Sequence, residues 1–379
     1  MDRFFRGNSI QKRNDWIDYD RGLSIILVSF RHAFESVSNS GFNMQDYPYL
    51  EYTNIFLFGF RMPLFFIASG MFLSLSLQKK GIKGYTEARV NTILYPMFVW
   101  GIIQLTLQLV FNNYSNSGFQ FTDYIWLIVD PRRTGQFWYL NALFFVGLIY
   151  AILKIKLKFS NRHQLFLGLT MYFFVAYLRS IGSYWGFIMD ILQYYLFFAI
   201  GDFISTTMRD EKNKGLFSSS YLLLALIPVF LVTQYNFTAI NMENKSNYYV
   251  EHRMPMFYLF VALIGCFISM NISFILAKFN KWKFLKWVGI HSIYIYCMQI
   301  ILMAFTRLIL TKLFKLESAP LLTLLVLISG VLLPILAYNL LMKYNYWWLF
   351  SFKKPDNNLS LSRAATQPLK IASLKKLVS

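Results

Sequence analysis

The sequence predicts an all-α, polytopic membrane protein with about ten transmembrane helices, on three observations. Its 379 residues are 56% hydrophobic and 19% aromatic but only 15% charged, against about 45–50% apolar and ~25% charged for a soluble chain. Ten stretches approach the length of about 20 mostly apolar residues that crosses a ~30 Å hydrocarbon core. The net charge of +19 would suggest a nucleic-acid partner on a water-facing chain, but here its cations sit on alternate connections between those stretches.

The stretches run over 17–37, 52–78, 90–112, 136–155, 163–181, 184–207, 218–236, 255–277, 287–311 and 319–342. The first has an unbroken apolar run of only nine residues, Gly22 to Phe30, behind a basic N-terminus. A cleaved signal peptide shares that outline. Asp15, Asp18 and Asp20 stand where such a peptide is positive, however, and no small-x-small site follows, so a retained helix is expected. Pro63, Pro96, Pro228 and Pro334 fall within spans, where neighbouring helices can satisfy the freed carbonyls. Cys266 and Cys297 are too few and too deep for a disulfide framework or a zinc site, and no metal is expected.

Of the 37 Lys and Arg, 26 lie on the N-terminus, on every second connection and on the C-terminal segment; seven lie on the other connections. The remaining four, Arg21, Arg31, Arg61 and Arg307, are inside spans. By the positive-inside rule both termini are cytoplasmic and the number of spans is even. Orientation accounts for the charge without nucleic acid. Residues 1–350 are expected to form the membrane domain, and 351–379 a basic cytoplasmic tail attracted to anionic lipid.

An ionisable side chain within a span costs about 2.5–3.5 kcal/mol on insertion scales and is a functional candidate by default. Wound at ~100° per residue, span one places Arg21 and His32 within roughly 20° of one face and about 16 Å apart along the axis. Asp18, three residues before Arg21, and Glu35, three after His32, fall near the same stripe. One reading makes His32 a base in the outer half of the membrane, oriented by Glu35, with Arg21 nearer the cytoplasm for an anionic donor. The other has Arg21 snorkelling to the inner surface while Arg31, His32 and Glu35 mark a helix end. Arg61, about 13 Å deep in span two by helix rise, is level with His32. It suits an anion or a developing oxyanion, or else a structural ion pair with Glu35 or Glu51. Asp190 and Asp202 are expected to pair with Arg179 or to cap helix ends, Ser69 and Gly70 to serve close helix packing, and His291 to line a cavity or cap its helix. The sequence carries no phosphate-binding loop, dinucleotide fingerprint, nucleophile elbow or zinc-protease motif.

Five landmarks taken together resemble acyltransferase family 3. They are the R-x10-H spacing of Arg21 and His32, MPLFFIASG over 62–70, EAR over 87–89 leading to Tyr95 and Pro96, FWYL over 137–140, and WVGIHSIYIY over 287–296. The resemblance implies a ten-helix enzyme of the plasma membrane that moves an acyl group, usually acetyl from acetyl-CoA, to a hydroxyl of a cell-surface carbohydrate. It further implies a catalytic role for His32 and donor handling by Arg21. Arg89 matches the first arginine of an R-x-x-R pattern whose second position is here Thr92, and Gln299 stands where the ninth-span signature often carries histidine. Some relatives have histidine at the place of Arg61.

The candidate catalytic residues are therefore His32, Glu35 and Arg61. Arg21, Arg89, Lys79 and Lys80, with Lys83 beside them, are the candidate counter-charges for the phosphates of coenzyme A. The expected partners are acyl-CoA, a carbohydrate acceptor selected by loops 113–135 and 237–254, and the bilayer. A transporter or flippase for a glycan or lipid-linked precursor is the alternative. Against it stand the absence of a visible inverted repeat and the concentration of polar residues on one helix. A non-catalytic membrane partner of a surface-polymer machine is the third reading.

Overall fold

The computed structural model describes residues 15–111 and 120–354. The N-terminal cations Arg3, Arg6, Lys12 and Arg13, the first part of the 113–135 loop and the tail beyond 354 lie outside the described residues. Every regular element among the described residues is helical.

Helix α1 (Asp15–Ser38) packs against helices from both ends of the chain. Too charged to face lipid, it buries Asp18, Asp20, Ser24 and Ser29 inside the bundle. Helices α2 (Pro48–Phe56) and α3 (Phe58–Gly70) form one apolar rod with an offset at Leu57, followed by α4 (Leu73–Arg89). Helix α4 is broken at Gly81, whose φ of 63° and ψ of −179° suit glycine alone. That break falls between the second and third expected spans. A π turn over Val90–Leu94 then leads into α5 (Tyr95–Val110), widening the helix just before Pro96, which has no N–H to donate.

Beyond the short α6 (Trp126–Val129) come α7 (Trp138–Ile155), α8 (Asn161–Ser180) and α9 (Phe187–Arg209). The single turn α10 (Lys214–Phe217) precedes α11 (Ser220–Glu243), α12 (Tyr249–Arg253) and α13 (Pro255–Phe279). The chain continues through α14 (Lys283–Ile290), α15 (Ser292–Leu308), which a π turn extends to Leu313, and α16 (Ala319–Lys343). Among the described residues, eight helical segments are long and apolar enough to cross a membrane. Helices α1 and α8 have spanning length but fall short in apolarity. The protein is thus an all-α, polytopic membrane protein.

The ninth expected span, 287–311, is divided at His291. Its first part belongs to α14, which crosses α1 at van der Waals distance: a Cβ on Gly22 would stand 2.1 Å from the Leu285 carbonyl oxygen, and one on Gly289 1.7 Å from that of Asp18. Helices α3 and α9 meet in the same way. There Gly70 faces the Phe198 carbonyl and Gly201 that of Ile67, each at 2.1 Å from the Cβ it lacks. Small residues let backbones approach where no hydrophobic effect pulls helices together.

Several charges inside the bundle are neutralised in pairs. Lys154 meets Asp202, which also accepts from the Tyr150 hydroxyl at 3.0 Å. Asp190 meets Arg132 at 2.6 Å, and Arg179 lies 3.6 Å from Glu251. The expected pairing of Asp190 or Asp202 with Arg179 is therefore replaced. Arg132 reaches Asp190 from a connection that chain spacing does not place beside it, and α12 brings Glu251 to Arg179.

Candidate active site

The face from which α1 starts, where α4 breaks and α7 ends, carries most of the loop cations and is called the basic face below. His32 lies on the opposite half of α1, 11 residues beyond Arg21. It opens onto a cavity of about 250 Å³ shared with Glu35, Arg31, Arg61, Arg132 and Tyr296. His32 Nδ1 is 3.3 Å from Oε2 of Glu35, and Oε1 of the same carboxylate accepts from Nε of Arg31 at 2.7 Å. Arg31 donates its Nη2 to the Tyr248 hydroxyl at 2.8 Å. Glu35 therefore bridges imidazole and guanidinium, and with Nδ1 turned to the carboxylate, Nε2 is the ring nitrogen left for a ligand.

Arg61 shares the cavity but is only 2% exposed. It donates Nη1 to Asn54 Oδ1 at 3.1 Å and Nη2 to the Asn54 carbonyl at 3.0 Å, bracing the offset between α2 and α3. It forms an ion pair with neither Glu35 nor Glu51, because Arg31 already holds Glu35. Opposite, the Arg132 guanidinium lies 3.9 Å from the centre of the Trp138 ring and is fixed by Asp190. The wall thus combines an imidazole with three guanidinium groups, each committed to a partner.

Arg21 and Arg89 meet in a second, smaller cavity of about 180 Å³ on the basic-face side. Arg21 stands over the Phe72 ring at 5.1 Å and Arg89 over that of Tyr85 at 5.2 Å. Ser69, Thr92, Ser292 and Tyr139 add hydroxyls, and the remaining lining is aliphatic or aromatic with no carboxylate among the described residues. Thr92 turns its hydroxyl back onto the Ala88 carbonyl at 2.8 Å. Tyr296 lines both this cavity and the first, its hydroxyl donating to the Gln136 carbonyl. Tyr296 is thus the residue common to the linings that hold the two arginines and the histidine.

Not every expected residue joins them. Lys79, Lys80 and Lys83 are exposed on α4 and line neither cavity. Asp18 is held at the α1–α14 crossing. His291 is buried with Nδ1 2.8 Å from the Trp287 carbonyl, which is the helix-end reading of that residue. Gln299 is fully buried and accepts from Ser29 Oγ at 2.6 Å, tying α15 to α1 one turn before His32. Ser69 lines the arginine cavity as well as preceding the Gly70 contact.

Sequence reasoning missed Arg132, Tyr248 and Tyr296 as cavity residues. The signals present were Arg132 and Arg133 on an otherwise cation-poor connection, directly before the FWYL landmark, and a tyrosine ending the ninth-span landmark.

No curated protein and no solved structure matches the chain. A family model described as an acyltransferase domain matches residues 14–339, nearly the whole chain and all of the cavity-lining residues above. With its landmarks gathered around two touching cavities in a helical membrane bundle, the chain belongs to acyltransferase family 3 and is a membrane acyltransferase.

Proposed function

We propose that the protein is an O-acyltransferase of the plasma membrane that carries an acyl group, in the first instance acetyl, from acyl-CoA to a hydroxyl of a cell-surface carbohydrate. The observation that carries this reading is the His32–Glu35 pair in a cavity that touches the Arg21–Arg89 cavity at Tyr296. The basic face is cytoplasmic on this reading, as the loop cations argue, and so are both termini.

The donor's phosphates and its thioester arm call for different surroundings. Two arginines facing one cavity suit the phosphates, and its mostly apolar remaining lining suits the arm. The acceptor hydroxyl enters the His32 cavity from the opposite face. As it attacks the thioester carbonyl, its proton passes to Nε2 of His32 while the new C–O bond forms. Glu35 holds the Nδ1–H tautomer and stabilises the imidazolium. When the C–S bond breaks, the proton moves from Nε2 to the leaving thiolate, which restores the neutral ring. Charge on the carbonyl oxygen develops in a cavity bordered by Arg31, Arg61 and Arg132, whose fixed positions cost no reorganisation.

The test is labelled acetyl-CoA supplied to membranes containing the wild type or His32→Ala, with the label followed into extractable glycan. The reading predicts transfer by the wild type and its loss in the variant. Equal transfer removes His32 from the chemistry, and movement of a tagged sugar across the bilayer without label incorporation would establish a transporter instead.

A further inference from the structure

His32 and Glu35 also line a third cavity of about 290 Å³ that neither the donor nor the chemistry requires. It is a trough between α1, α5 and α15, in the half of the bundle remote from the basic face. Its lining carries polar side chains, Gln104 and Gln108 from α5, Asn39 just beyond α1 and Arg307 from α15. Arg307 is only 5% exposed. It donates Nη1 to the Ser36 carbonyl at 2.7 Å and meets no carboxylate among the described residues. In this it differs from Arg31 and Arg132, each of which has an acid. Gln108 Oε1 is buried there without a partner.

Apolar side chains stand among them on the same helices: Leu107, Ile301 and Leu308 also line the trough, and Phe111 and Phe305 form its lip, edge to face at 6.0 Å and 42% and 40% exposed. Phe305 sits on a membrane-spanning helix and Phe111 directly follows another, so the lip faces acyl chains. A buried cation without an acid is costly in a bilayer, and an anion brought to it recovers that cost. An anion with an apolar chain attached matches both kinds of lining at once.

Building on the acyl-transfer reading above, we propose that the acceptor is lipid-linked. Its phosphate is held by Arg307, its chain leaves between Phe111 and Phe305 into the bilayer, and its hydroxyl-bearing part reaches His32. The trough is then the acceptor's entrance, as the arginine cavity is the donor's.

The experiment measures binding to the purified full-length protein in nanodiscs, with three probes: dodecyl phosphate, dodecanol and inorganic phosphate. The wild type should bind dodecyl phosphate at least tenfold more tightly than either of the others, and Arg307→Gln should erase that preference. Arg307→Lys, which keeps the charge and a donor for Ser36, should retain most of it and serves as the folding control. Leu107→Trp, which fills space beside the apolar lining, should weaken both dodecyl probes. Inorganic phosphate binding as tightly as dodecyl phosphate would make this a soluble-anion site and overturn the proposal, as would a preference that survives Arg307→Gln. Because the readout is binding, it separates from the function beneath it. His32-dependent labelling of glycan without any dodecyl phosphate preference leaves the acyltransferase reading standing and removes this one.

Discussion

The two cavities that meet at Tyr296 are built of opposite materials. The basic-face cavity has two arginines leaning on aromatic rings, a set of hydroxyls and no lining carboxylate. The His32 cavity has three arginines, but Arg31 is neutralised by Glu35, Arg132 by Asp190, and Arg61 is spent on Asn54. A cavity whose cations are committed to fixed partners keeps its shape and lends its field to a reaction inside it. The proposed division of labour between holding a donor and carrying out proton transfer follows this difference in lining.

That comparison can be broken most severely at His32. Replacing it by alanine should lower the turnover number by roughly 10²–10⁴, the usual contribution of a positioned base, with donor KM unchanged; a fall in donor affinity instead would place His32 with the donor. Glu35→Gln is next. The amide can still accept from Nδ1–H but leaves the imidazolium and Arg31 without a counter-charge, so turnover should drop roughly 10–100-fold, the worth of a hydrogen bond to a charged group. Arg89→Gln should act on the other side of Tyr296 only. Donor KM should rise about tenfold with acceptor KM unmoved, the mark of lost uniform binding; an equal effect on the acceptor would merge the two cavities into one site. The smallest effect belongs to Lys79→Ala with Lys80→Ala. Both side chains are exposed and absent from the lining, so donor KM should stay within about twofold and stability within about 0.5 kcal/mol. A larger rise in donor KM would return them to the donor path.

The same contrast shows what was legible in the sequence and what was not. The bundle was legible because apolar length and loop charge are local properties, and the expected spans coincide closely with α7, α13 and α16. The stripe on α1 was legible because helical periodicity places His32 and Glu35 together without any tertiary information. The partners that decide how each charge behaves were not. Arg132 and Asp190 are 58 residues apart, Arg31 and Tyr248 217, and no spacing rule connects them. Lys79 and Lys80 are a different case: a cluster of lysines near a donor motif reads as part of it, and in the fold both side chains are exposed and absent from the cavity lining. The division of the ninth span at His291 was hidden because α14 is apolar enough to read as membrane-spanning, although its length and Gly289 adapt it to cross α1.

The account stands on one claim: a donor bound at the basic face and an acceptor reaching His32 from the opposite side meet across Tyr296. Sealed proteoliposomes of known orientation test it directly, with labelled acetyl-CoA confined to the basic-face side and the glycan acceptor confined to the other. The account predicts labelled acceptor with the bilayer intact, and none with His32→Ala. Transfer only when both substrates are on the same side, or equal labelling by the variant, would contradict it.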